Sequence, residues 1–283
     1  MDKSVFIEKN YRLRKQLLML SKDGIFGNSD GIIDPDKYWD HNGLKILWLL
    51  KESYGEGGVD QALQRQKAQA ASEIFDARNT DGFSTFGPII RLANILQSQE
   101  SDDPYTSPGA WGHFKTSTSY VNIKKIPGIS ESKPKEIEAA FHENASMLEE
   151  QVSLYSPNVI IGGHTLGYLL CRDRIPNSSS FFEEIKRCQG NGPKYLTGID
   201  YAPIFGDKID IRRCHAIQIN DIDFGVYPGN KYLFIDADHP SSICKKDVYV
   251  DGLRAIISDL GLWLSEDSAT VLVLKKKYSQ LSA

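Results

Sequence analysis

The chain has little cysteine, no long apolar run and no excess of positive charge, and each shortage closes off a class of function. Its four cysteines, Cys171, Cys188, Cys214 and Cys244, stand far apart, with no CxxC pair and no close histidine partner. A zinc or iron–sulfur cage, or a disulfide scaffold, needs ligands at short, regular spacing, so neither is expected and the thiols read as free and buried. No cofactor or metal follows from the residues. No stretch reaches the roughly 20 apolar residues that span a bilayer. The opening MDKSVFIEKNYRLRKQ is polar and charged, so it reads as neither a secretory signal nor a membrane anchor. A cytoplasmic protein with no membrane partner is the expectation. The formal charge is −4, from 33 basic and 37 acidic residues. That balance does not advertise nucleic-acid binding, although a local basic footprint can sit on an acidic protein. One window leans positive, with five lysines between Lys115 and Lys135 against a single acid, Glu131.

What is present suits a sizeable core: 283 residues, 41% of them hydrophobic. The run LKILWLL (44–50) is apolar without alternation and is bounded by Gly43 and Lys51, as a strand buried on both faces should be. TSYVNI (118–123), SPNVIIGG (156–163), HAIQI (215–219) and KYLFIDA (231–237) also read as strands, and ATVLVL (269–274) as a last one. Helices are expected at 13–21, 60–77, 88–98, 164–170, 180–188 and 247–264. The strongest is the segment opening at Pro134, where Ile137, Phe141, Leu148, Val152 and Tyr155 recur on a helical period. Segments 27–36, 81–88 and 101–109 read as loops, and KKIPGISESK (124–133) as turn-like. Helix, strand, glycine turn and helix in succession is the grammar of an α/β fold. The expectation is a three-layer sandwich around a mostly parallel sheet. It is a single domain over 1–283, with a helical extension at about 1–43 and an irregular insertion at about 172–212.

Ligands in open α/β sheets bind beyond the carboxyl ends of the strands. Three segments put polar residues there: Lys51-Glu52-Ser53-Tyr54 with the glycines after it, Asn122-Ile123-Lys124-Lys125, and Asp236-Ala237-Asp238-His239-Pro240-Ser241-Ser242. Gly162-Gly163-His164 lacks a full phosphate-binding fingerprint and reads as a close strand-to-helix turn. Each polar residue also has a plain structural role open to it. Glu52 can pair with a nearby lysine, Asn122 can satisfy loop backbone, and His239 can cap a strand end.

The order of these segments resembles the uracil-DNA glycosylase superfamily. KESYG (51–55) stands where the family has its first, glycine-led motif; YVNIKKIPG (120–128) stands where it has a base-recognising asparagine, here Asn122; and HPS (239–241) matches its histidine-proline-serine signature. The resemblance implies cleavage of the base–sugar bond of uracil or another deaminated or damaged base in DNA. It implies His239 as the donor to the leaving oxygen, Glu52 and Ser53 in the first catalytic motif, and Asn122 on the base edge. Tyr54, Phe83, Phe86 or Trp111 would stack on the base. Lys51, Lys124, Lys125 and Ser241 would contact the ligand or its phosphates. Ser53 stands where the family's best-known branch has an aspartate, and serine is no general base near neutral pH; Ser53→Asp is then a change that adds activity. Two further classes stay open: an enzyme or binding protein for a small nucleobase-like or nucleoside-like ligand, and a non-catalytic binding protein for single- or double-stranded DNA or a protein partner.

Overall fold

A computed structural model describes residues 1–54, 56–61, 63, 83–97, 108–128, 133–163, 165, 168, 195–199, 211–218, 231–237, 239–242, 247, 249–254 and 257. The expected helix at 180–188 and strand at 269–274 lie outside those residues, as does most of the helices expected at 60–77 and 164–170. The elements in chain order are α1 (Lys3–Met19), β1 (Ser21–Lys22), β2 (Ile25–Phe26), β3 (Gly31–Ile32), α2 (Pro35–Asp40), β4 (Ile46–Tyr54), α3 (Phe83–Gln97), α4 (Pro108–Ser117), β5 (Thr118–Gly128), α5 (Pro134–Tyr155), β6 (Val159–Gly163), β7 (Tyr195–Ile199), β8 (Ile211–Gln218), β9 (Lys231–Ala237) and a 3-10 turn (Pro240–Ser242). Asp247, 249–254 and Ile257 are helical as well.

The protein is an α/β fold with a central mixed sheet flanked by helices. Seven strands run in the order β3-β5-β4-β6-β9-β8-β7. The inner four, β5, β4, β6 and β9, are parallel neighbours. They are the segments expected at 118–123, 44–50, 156–163 and 231–237. The three outer pairings are antiparallel. "Mostly parallel" therefore holds for the centre alone. β8 and β9 pair antiparallel, and an antiparallel pair, unlike a parallel one, needs no crossover connection.

Both faces of the central strands are covered, which is why Ile46–Leu50 is buried throughout. Leu47, Leu49, Val121, Ile123 and Ile160 pack in one cluster with Phe6 and Leu13 of α1 and with Ile137, Phe141, Leu148 and Val152 of α5. On the other face Tyr120 meets Phe86 of α3 edge-on at 5.1 Å, and Phe86 meets Phe114 of α4 at 6.3 Å. The stripe read from the sequence of α5 is its buried side. No side chain caps α5 at Lys133; a cap is worth about 1 kcal/mol, whereas each fully buried Ile, Phe, Leu or Val contributes about 1.5–3 kcal/mol. Packing holds this helix in place.

Three boundaries differ from the sequence reading. β4 continues through Lys51-Glu52-Ser53-Tyr54 because β5 continues beside it, with Glu52 opposite Lys124 and Tyr54 opposite Gly128. The turn-like 124–128 is that partner strand. FSTFGP, read as loop, is the start of α3, and Pro88 sits inside that helix. The N-terminal 43 residues are part of the main body: β3 pairs with β5, and Phe6 and Leu13 lie in the core.

Candidate functional site

Register fixes what stands at the carboxyl edge of the parallel strands. Leu50 on β4 is opposite Asn122 on β5. Leu49 is opposite Gly162 on β6, Gly162 is opposite Asp236, and Gly163 is opposite Ala237 on β9. Asn122, Leu50, Gly163 and Ala237 thus form a row across four strands. Two residues further along come Lys124, Glu52 and, past the end of β9, His239. Residues i and i+2 of a strand share a face, so Asn122, Lys124, Leu50 and Glu52 lie on the face of Tyr120 and Trp48, toward α3 and α4. Lys51 lies on the other face.

Glu52 has a fully buried side chain and an ion pair, its Oε2 lying 3.0 Å from Nζ of Lys124, which is 22% exposed. A carboxylate removed from water in this way needs such a partner. Ser53 is buried, and its Oγ accepts from Asn28 Nδ2 at 3.2 Å. The register of β4 against β5 shifts between Glu52 and Tyr54, so simple alternation ends at Glu52. The Ser53 hydroxyl is engaged by Asn28 and the Glu52 carboxylate by Lys124.

His239 lies above the end of β6. A Cβ built on Gly163 would stand 3.2 Å from its Cα and 3.3 Å from its ring Cδ2, with Leu50 Cδ2 at 3.6 Å. The histidine is therefore on the same edge as Glu52 and Asn122. The backbone N–H of Ser241 donates to His239 Nδ1 at 3.2 Å, and the Ser241 hydroxyl lies 2.7 Å from the same nitrogen. A backbone N–H can only donate, so Nδ1 accepts, and the neutral ring carries its proton on Nε2. Nε2 is then a donor. Pro240 restrains its predecessor toward extended backbone, and the 3-10 turn of Pro240–Ser242 packs against α3. Arg91 of α3 also holds the following helix, through Asp247 and, at 3.3 Å, Asp251.

Asn122 is 5% exposed, and its backbone N–H donates to Asp30 Oδ2 at 2.6 Å. Lys125 is on the opposite face from Asn122. Its buried ammonium contacts Asp30 Oδ2 at 3.0 Å and Gln151 Oε1 at 2.6 Å. Burial pulls its pKa below the ordinary lysine value, against the pull of Asp30. Its charge is used inside the fold. Lys115 is also buried, and burial lowers its pKa. The lysine window of the sequence is thus no continuous positive surface: of its five members two are interior, Lys124 meets Glu52, and Lys133 and Lys135 are exposed. Ser241 is exposed, with its hydroxyl on His239. Lys51 is half-buried. The side chains of Tyr54, Phe83 and Trp111 lie outside the described residues. Phe86 is a core residue, 8% exposed between Tyr120 and Phe114.

Sequence reading missed Asp30, Asn28, Gln151 and the role of Gly163. Asp30 sits in a stretch whose glycines and aspartates signalled loop, and nothing local marks its carboxylate as the tie between β5 and α5. Among the described residues no group of three or more His, Cys, Asp or Glu is placed to hold a metal ion, and no helix is long and apolar enough to cross a membrane. Comparison with known proteins finds no matching family model, no matching curated protein and no matching solved structure.

Proposed function

We propose that the chain hydrolyses the base–sugar N-glycosidic bond of uracil or another deaminated base, working at the carboxyl edge of the parallel strands. The observation that carries this reading is the convergence of Glu52, Asn122 and His239, from three segments far apart in sequence, on one edge of the sheet, with His239 Nδ1 accepting so that the ring proton is on Nε2. In the reaction the bond between C1′ and the base nitrogen breaks, and its electron pair leaves with the base as negative charge on a carbonyl oxygen. Water adds to C1′ and gives up a proton. His239 Nε2–H is the donor to the developing oxyanion, a charge that exists only in the transition state. Asn122 offers an amide that can both donate to and accept from the edge of a uracil-like base. Glu52 is the carboxylate for the proton of the attacking water, and Lys124 orients it.

Single-turnover release of uracil from a uracil-containing oligonucleotide tests the reading. The wild-type chain should release the base, and His239→Ala should lose about 100- to 1000-fold in rate, the usual cost of one oxyanion donor. No release of uracil or of any other deaminated base ends the proposal. A second reading, hydrolysis or binding of a free nucleoside-like molecule, is favoured by one observation: two lysines of the basic window are interior, and a polymer substrate needs a positive track for its phosphates. Calorimetric titration with free nucleosides separates the two.

A further inference from the structure

We infer that Gly163 is the positioning residue for His239: the missing side chain at the end of β6 is what lets the histidine lie down onto the sheet edge. The inference rests on the reading of His239 as the donor, and its geometric content stands independently of that reading. β6 and β9 are paired to their last residues, Gly163 opposite Ala237. The chain leaving β9 folds back over β6 within two residues. A Cβ on residue 163 would meet His239 Cα at 3.2 Å and Cδ2 at 3.3 Å. Both distances are tighter than ordinary van der Waals contact, and one of the atoms is backbone.

A flexible side-chain end can swing away from an added methyl, but this Cα cannot. Gly163 is held from below, because Thr165, two residues on, donates from Oγ1 to Leu49 O at 2.6 Å. His239 is held from the other side by Pro240, which is buried, and by the turn against α3. Leu50 closes the lateral exit, its Cδ2 lying 3.6 Å from the added Cβ. A methyl at 163 therefore lifts His239 from the row that holds Asn122 and Leu50 and disturbs the short bonds from Ser241 to Nδ1. A donor shifted by a few tenths of an ångström loses alignment with an oxyanion; a misplacement of about 1 Å costs about 100-fold in rate in well-aligned sites, which is the upper bound here.

The experiment uses the full chain with nitrogen-15 in its histidines. In the wild type, the Gly163 Hα protons should give a strong nuclear Overhauser contact to His239 Hδ2. The His239 ring should show the Nε2–H tautomer, its signals assigned with His239→Gln. In Gly163→Ala the His239 ring nitrogens should move toward a mixed tautomer, while the signals of His41, His113 and His142 stay in place. Uracil release should fall, by up to about 100-fold, with the fold retained by circular dichroism. Absence of the wild-type contact overturns the inference with no need for the variant to fold. So does an unchanged His239 spectrum in Gly163→Ala, or a displacement shared by all the histidines. A wild type that shows the contact and the tautomer but releases no base leaves the positioning role standing and removes the glycosylase reading.

Discussion

Asp30 and Lys125 form an ion pair inside the fold, 3.0 Å apart, with side chains 1% and 0% exposed. The pair does not stand alone. Gln151 Nε2 donates to Asp30 Oδ1 at 2.7 Å, Gln151 Oε1 accepts from Lys125, and Asn122 N–H donates to Asp30 Oδ2. The carboxylate thus joins the N-terminal segment, β5 and α5, and it fixes the backbone at the residue proposed to read the base.

Removing one partner of such a pair is expected to cost far more than removing both. Asp30→Ala strands a buried ammonium and the Asn122 N–H, and should destabilise the protein by about 3–5 kcal/mol. The double variant Asp30→Asn with Lys125→Met keeps an acceptor for Asn122 and removes the charge, so it should be the more stable of the two. Urea denaturation read by tryptophan fluorescence checks this. A neutral Asp30→Ala would mean that the network has no energetic role.

Acid should weaken the protein through two histidines away from the candidate site. Burial lowers the pKa of His41, with Lys45 and His113 adding to the effect, and burial lowers that of His113. A depressed histidine binds its proton less readily when folded than when unfolded, so its stabilising contribution is complete above the ordinary value of 6.5 and is lost as pH falls below it. The melting temperature should drop from pH 7.5 to pH 5.5, both values chosen to bracket the histidine range of about 6.5. The drop should be smaller in the His41→Gln, His113→Gln variant. Equal drops would assign acid sensitivity elsewhere.

Asn10 should be improvable. It lies on the buried face of α1, 0% exposed, and neither its Oδ1 nor its Nδ2 has a hydrogen-bond partner among the described residues. Burying an unpaired amide costs about 1–3 kcal/mol, and leucine has the same branched side-chain skeleton, with larger end groups, and a higher helix propensity. Asn10→Leu should raise the urea midpoint with an unchanged slope. A loss of stability would mean that the amide is satisfied after all.

Ser53 should matter to folding and little to chemistry. Ser53→Ala leaves Asn28 Nδ2 without its hydroxyl partner and should cost about 1 kcal/mol, with uracil release close to wild type. Ser53→Asp puts a charge at a buried position beside Asn28, so stability should fall with no gain in rate. A faster Ser53→Asp would show that position 53 reaches the candidate site.

The central strands and α5 are legible in the order of residues alone. LKILWLL and VIIGG are uninterrupted apolar runs, and Ile137, Phe141, Leu148 and Val152 recur at spacings of four and seven residues, one and two helical turns. Signals of that kind are local: burial on both faces removes polar alternation, and burial on one face of a helix imposes its period. Where a strand stops is not local. Lys51-Glu52-Ser53-Tyr54 is polar and reads as loop, yet it remains in β4 because β5 offers backbone partners beside it. Only the assembled fold sets which charges are interior. Lys124 and Lys125 are adjacent in sequence, but the pleat sends one to Glu52 and the other to Asp30. It also decided that Gly163, read as a turn residue, is the floor beneath His239, because a close approach between segments that far apart leaves no trace in the composition of either.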